Sequence, residues 1–192
     1  MENFKIMESY IKGIYIIEPT ILEDSRGSFH EVYNYNKFKK LGLDIRFVQE
    51  NQSHSIKGVL RGLHFQLKYP QGKLIRVVKG EVFDVAVDIR PNSATFGKWF
   101  SCILNDVNKT QIYISEGMAH GFLVLSEEAE FVYSCTEYYH PEDENGICWN
   151  DDQIKIEWPI GKVERVILSE KDKNWGSFQE YKKLIYQRGD KS

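Results

Sequence analysis

The chain is poor in cysteine: three residues among 192, Cys102, Cys135 and Cys148. Three is an odd number and no pair stands in CxxC spacing, which argues against a disulfide framework or a zinc ribbon. Apolar, strand-like residues flank each one, so they are expected to pack in a core in a reducing cytoplasm. No apolar run approaches the ~18 residues of a membrane span. The N-terminal run MENFKIMESYIKGIYIIEP has charges spread through it and no small-residue cleavage site, so no signal peptide is expected and a cytoplasmic location is. A dominant charge sign is also missing. The 25 Lys and Arg against 28 Asp and Glu leave a net charge of -3. That excludes a general nucleic-acid or membrane-surface binder, while local clusters of Arg and Lys still allow a small anionic ligand. GxGxxG and P-loop signatures are absent, so no dinucleotide or ATP fold is expected. There is no GxSxG elbow and no cysteine beside a histidine, which makes nucleophilic catalysis a poor reading.

What the chain does have is strand signal. Aromatic and β-branched residues are plentiful and turn signals recur about every ten residues, the pattern of an all-β sandwich or barrel. At 192 residues, 42% hydrophobic and 28% charged, it reads as one soluble globular domain. Strands are expected over GIYIIEP (13–19), SFHEVYN (28–34), RFVQENQSHS (46–55), GVLRGLHFQ (58–66), KWFSCIL (98–104), TQIYIS (110–115), HGFLVLS (120–126) and AEFVYSCTEYY (129–139). A short helix is expected over NYNKFKKLG (34–42), from its Asn start to Gly42. In KLIRVVKGEVFDVAVDIR (73–90), Lys79-Gly80 between two apolar arms reads as the turn of a β-hairpin. The second arm puts Phe83, Val85, Val87 and Ile89 on one face and Val82, Asp84, Ala86 and Asp88 on the other. Asp84 and Asp88 then either line a ligand cavity inside a barrel or face solvent. The tail WGSFQEYKKLIYQRGDKS is polar with a weak helical period.

RGLHFQ (61–66) is the stretch richest in chemistry. Double-sheet folds of the cupin type often hold a metal with two histidines one residue apart on one strand. Here His64 is followed at that spacing by Gln66, and His120 lies far away in EGMAHGF. Two scattered histidines make a poor first-row metal site. A histidine in an apolar pocket, oriented by a carboxylate, is a competent base near neutral pH, and a tyrosine and a cation are its natural partners in proton transfer. A half-buried structural histidine is the plainer alternative, and composition alone does not choose partners. Arg61 and His64 differ by an odd number of positions and would point to opposite faces of a regular strand. Gly62 between them marks a bulge that would turn both into one cavity.

Several longer runs, in order, carry a family resemblance: EDSRGSFHEVYN, FVQENQSHS, VLRGLHFQ, QGKLIRVVKGEVFDVAVDIRPNSATFGKW, EGMAHGFLVLSEEAEFVY, CWNDDQIKIEWP and LSEKD. Through them the sequence resembles the dTDP-4-dehydrorhamnose 3,5-epimerases along nearly its whole length, outside the first dozen residues and the tail after Lys173. The resemblance implies an all-β double-stranded β-helix, a cupin-like jelly roll with short peripheral helices, in one domain over 1–192 with its core at about 45–160. It implies a cofactor-free, metal-free isomerase acting at C3 and C5 of a nucleotide-diphosphate 4-keto-6-deoxysugar, in dTDP-L-rhamnose biosynthesis. An epimerase acting at a single carbon and a non-catalytic sugar-nucleotide binder are the alternatives.

The resemblance also implies roles. His64 matches the base, Asp172 the carboxylate that orients it, Tyr133 the proton donor on the opposite side of the sugar, and Lys73 the cation near the C4 oxygen. Arg26, Glu31, Gln49, Glu50, Asn51, Arg61, His120, Tyr139, Glu144 and Lys171 match substrate-binding positions, with Tyr139 stacking on the base. Arginines suit the diphosphate because their charged fork is bidentate. Two departures stand out: Glu50 where the family usually has Asp, and the loop LKYP before Gln71. Homodimers with exchanged N-terminal strands are typical of the family, so Arg26 and Glu31 are expected to act across a dimer interface.

Overall fold

Two antiparallel sheets face each other, and the alternation of side chains along their strands explains what lies between them. The computed structural model describes residues 3–189. Of the expected 1–192 domain, 1–2 and 190–192 lie outside the described residues. In chain order the elements are β1 (Phe4–Glu8), β2 (Ile14–Pro19), β3 (Leu22–Asp24), β4 (Gly27–Phe29), α1 (Tyr35–Lys40), β5 (Gln49–Ile56), β6 (Leu60–Gln66), β7 (Lys73–Lys79), β8 (Glu81–Asp88), β9 (Trp99–Asn105), β10 (Gln111–Ile114), β11 (Met118–Val124), β12 (Glu128–Cys135), β13 (Glu144–Gly146), α2 (Glu170–Lys173) and α3 (Phe178–Gly189). One sheet runs β1-β2-β10-β7-β12-β5 and the other β13-β6-β11-β8-β9, with β3 and β4 forming a separate small hairpin. This is the expected jelly roll.

Alternation sorts the core into layers. Ile75 and Val77 from one sheet, and Val82, Ala86 and Phe122 from the other, point inward and pack together. Val85, Val87, Leu123 and Leu63 point outward from the five-stranded sheet and are covered by Ile154, Trp158, Phe178 and Tyr181. Phe38, Leu43 and Ile45 cover Ile17, Leu74 and Tyr113 on the outer face of the six-stranded sheet. Burying a side chain the size of Phe38, which is fully enclosed, stabilises by about 1.5–3 kcal/mol. α1 forms where its signals lie. The Asn34 side chain caps it by accepting from Lys37 N–H at 3.2 Å, and Gly42 at φ +93° follows its end.

Two strand expectations are corrected. SFHEVYN is strand only up to Phe29, because Asn34 is already committed to the helix cap. Lys79-Gly80 is a sharp turn but not a hairpin: β7 pairs with β10 and β12, and β8 with β9 and β11. The turn instead carries the chain from one sheet to the other. A tight-turn signal specifies reversal, not pairing. Placing the two arms in facing sheets buries the apolar side chains of both against each other. Gly80 sits at φ +81°, and a Cβ there would lie 2.1 Å from the Glu128 carbonyl oxygen.

Asp84 and Asp88 are both fully buried, so neither faces solvent. Asp88 is enclosed by the Arg90 guanidinium and the Ser93 and Thr95 hydroxyls. Cys135 is buried, Cys102 and Cys148 partly so, and all three are free thiols. Among the described residues no helix is long and apolar enough to cross a membrane.

Candidate active site

One end of the space between the sheets is not filled by side chains. It forms a cavity of about 580 Å³, within the range of small-molecule sites. RGLHFQ supplies its wall. His64 on β6 lies opposite His120 on β11, and Arg61 opposite Phe122, so three steps on β6 match two on β11. That is the bulge expected at Gly62, and both Arg61 and His64 reach the cavity. Gly62 has φ +119°, and a Cβ there would come within 2.6 Å of Gly121 Cα and 2.7 Å of the His120 carbonyl oxygen. No side chain fits.

His64 Nε2 is 2.5 Å from Asp172 Oδ1. The two are 108 positions apart, and the chain closes that gap in two steps. Ile167 bonds backbone to backbone with Gly58 and Leu60 at the start of β6. Ser169 then caps the short helix α2, accepting from Asp172 N–H at 3.1 Å and donating its hydroxyl to Asp172 Oδ2 at 2.8 Å. Asp172 is 4% exposed. Burial alone would raise its pKa, but the hydrogen bonds and charge supplied by His64, with Ser169 and Trp175, hold it below the ordinary carboxylate value. It is therefore ionised and can pair with an imidazolium. Among the described residues His64 Nδ1 makes no hydrogen bond, and the ring lines the cavity.

Lys73, at the start of β7, and Tyr133, on β12, line the same cavity, with Nζ 5.9 Å from the tyrosine ring centre. Desolvation pulls the Lys73 pKa down. Burial pushes that of Tyr133 up, so its hydroxyl keeps its proton. His120 Nε2 donates to Asp84 Oδ2 at 2.9 Å, a second and deeper His–Asp pair; Asp84 thus serves the cavity through His120. At the rim Glu144 Oε2 accepts from the Tyr139 hydroxyl and from Lys171 Nζ, both at 2.5 Å. Burial opposes ionisation of Glu144, but these donors win and lower its pKa, while the Tyr139 hydroxyl, bonded to that carboxylate, is pushed up to about 12. Gln49 and Asn51 face inward and bond each other at 2.9 Å. Among the described residues no cluster of three or more His, Cys, Asp or Glu side chains is placed to hold a metal.

Three residues expected at the site are not brought to this cavity. Glu50 lies between Gln49 and Asn51 on a strand, so it points to the other face, where Ser134 donates to it at 2.8 Å. Arg26 sits on the exposed β3–β4 hairpin, paired with Asp24 at 2.6 Å. Glu31 is held by Lys37 at 2.7 Å. Conversely, Gln66, Gln71, Ser169 and Trp175 help to build the cavity or its His–Asp pair and were not assigned from sequence. Gln66 had a local signal, its place two residues after His64. Trp175 had none, lying in a polar tail.

Residues 8–180 match the family model described as dTDP-4-dehydrorhamnose 3,5-epimerase. The chain is 51% identical to the dTDP-4-dehydrorhamnose 3,5-epimerase of Methanothermobacter thermautotrophicus, over 94% of this chain and 97% of that one. It is 50% identical to the Escherichia coli enzyme of the same name, over 93% and 97%. Among solved structures it resembles a dTDP-6-deoxy-D-glucose-3,5-epimerase from Legionella pneumophila in complex with dTDP-4-keto-L-rhamnose. That match has a TM-score of 0.88 and 50% identity, covering 92% of this chain and 93% of that one.

Proposed function

This chain belongs to the dTDP-4-dehydrorhamnose 3,5-epimerase family, and from that premise we infer that it is an isomerase converting dTDP-4-dehydro-6-deoxy-D-glucose to dTDP-4-dehydro-L-rhamnose, in dTDP-L-rhamnose biosynthesis. The ketone at C4 acidifies the C–H bonds at C3 and C5. His64 takes one of these protons, and the charge of Asp172 stabilises the imidazolium that forms. The electrons of the broken bond move onto the C4 oxygen as an enolate, to which Lys73 Nζ is assigned as hydrogen-bond donor. Tyr133 returns a proton to the opposite face of the same carbon. His64 then gives its proton to solvent and Tyr133 regains one from solvent, and the cycle repeats at the second carbon. A positioned base of this kind is worth roughly 10²–10⁴-fold in rate. The chemistry calls for no redox cofactor and no metal, since the substrate carries its own activating carbonyl.

The observation that supports this reading best is a single cavity lined by a 2.5 Å His64–Asp172 pair, the Tyr133 hydroxyl and the Lys73 side chain. Arg61, His120, Gln49, Asn51, Tyr139, Glu144 and Lys171 are assigned to binding the nucleotide sugar. We assign the whole of 1–192 to one epimerase domain that acts as a homodimer. Arg26, 88% exposed at its side chain on the β3–β4 hairpin, is then assigned to the diphosphate bound by the partner subunit, and Glu31 and Glu50 are assigned to the same shared site. Light scattering tests the dimer, and a monomer that is fully active would refute the shared site. The chemistry is tested by NMR with the 4-keto sugar nucleotide in heavy water. Deuterium is expected at both C3 and C5, label at one carbon would make this a single-site epimerase, and no label at either would refute the assignment. His64→Ala is expected to abolish exchange. Tyr133→Phe is expected to slow turnover while the first deprotonation partly survives.

A further inference from the structure

We propose that Trp175 is a positioning residue for the His64–Asp172 pair: its indole N–H holds the carboxylate and its ring holds the imidazole. This rests on the reading of His64 as the base. Trp175 Nε1 lies 3.3 Å from Asp172 Oδ1, the same oxygen that meets His64 Nε2 at 2.5 Å. Its ring meets the His64 ring edge-on, 5.9 Å between centres at 69°. Two further features seat the indole there. Gly146 on β13 stands opposite His64 in register, and a Cβ on it would lie 2.3 Å from Trp175 Cδ2, so the ring lies on a bare Cα. The next residue, Gly176, is bridged to Ile147 and accepts from Cys148 N–H at 2.8 Å, which ties the tail to β13.

The chemistry follows from the donor count. With His64 and Trp175 on Oδ1 and Ser169 on Oδ2, the carboxylate of Asp172 is held in one orientation. A carboxylate free to rotate would share its charge less well with an imidazolium forming at a fixed place.

The test compares Trp175→Phe, Trp175→Leu and Gly146→Ala with the unaltered protein in steady-state turnover and deuterium exchange. Trp175→Phe keeps a ring and loses the N–H, so kcat is expected to fall roughly three- to tenfold, the range of an ordinary rather than a charge-assisted hydrogen bond because this one is long at 3.3 Å, with KM within about twofold. Trp175→Leu should fall further. Gly146→Ala leaves the indole intact but pushes it off its seat, and is expected to lose kcat in the same way. Unchanged kcat in Trp175→Phe would overturn the proposal. So would a rise in KM at constant kcat, because a tail that merely supports the rim would act through Lys171, whose Nζ lies 5.9 Å from the indole centre. His64→Ala separates the two levels. If it still exchanges, the base reading fails and this falls with it; if it is inactive while Trp175→Phe is normal, only the positioning role fails.

Discussion

Replacing Asp172 with Asn changes one buried atom and removes one charge. The carboxylate is 4% exposed and its 2.5 Å contact with His64 is a charge-assisted hydrogen bond. Such bonds contribute about 1.5–3 kcal/mol, or roughly 10–150-fold if the whole of it is felt only once the imidazolium has formed. A second effect depends on which way the amide lies. Ser169 donates its hydroxyl to Oδ2. If the amide oxygen stays there, its NH₂ faces His64 Nε2, which must then accept. The proton moves to Nδ1, and the nitrogen meant to receive the substrate proton is already occupied. A reversed tautomer of this kind costs about 10⁴-fold in the serine proteases. The expected loss in kcat is therefore about 10²–10⁴-fold, with KM little changed because Asp172 lies behind His64. Deuterium wash-in at C3 and C5 measures the step directly, and circular dichroism checks the fold. A folded Asp172→Asn protein with kcat within threefold of the original would refute the assignment of Asp172 as the group that orients and charges the base.

Other outcomes follow from the same coordinates. Gly62→Ala places a methyl group 2.6 Å from Gly121 Cα at φ +119°, so strain and overlap together should destabilise the protein by about 2–5 kcal/mol, read as a lower midpoint in urea. Gln66→Glu deprives the carbonyls of Tyr69 and Tyr138 of their donor, at 2.6 and 3.1 Å, while His140 N–H keeps its acceptor. With those two loops released, KM should rise several-fold and stability fall by about 2–4 kcal/mol. Burial would raise the pKa of Asp88, but Arg90, Ser93 and Thr95 lower it below the ordinary value near ~4. A depressed carboxylate stabilises above that ordinary value and loses its contribution as pH falls through the folded one. Resistance to urea should therefore fall below pH ~4, and the acid slope should be shallower in Asp88→Asn.

Local features of this chain were readable wherever a local cause was enough. Asn34 and Gly42 bound a helix because capping and positive φ are decided within one turn. Gly62 marked a bulge because a glycine between two side chains needed in one cavity has few other uses. The Lys79-Gly80 turn was equally visible, yet its meaning was misread: pairing depends on strands brought in from residues 99–135, and the better burial lay between sheets. Glu50 shows the limit from the other side. It stands in a binding run, but a one-residue step along a strand reverses the face.

By itself the sequence determined the class of fold, the family, and the residue types that proton transfer requires, since these follow from periodicity and from long ordered runs of matching residues. Only the tertiary structure decided which of those residues meet. His64 finds Asp172 across 108 positions because Ile167 bonds to the start of β6 and Ser169 caps α2 against it. Trp175, in a tail without a signal of its own, reaches the same carboxylate because Gly146 has no side chain to keep it away. Contacts of that range come from packing and backbone bridging between distant segments, and no local pattern records them.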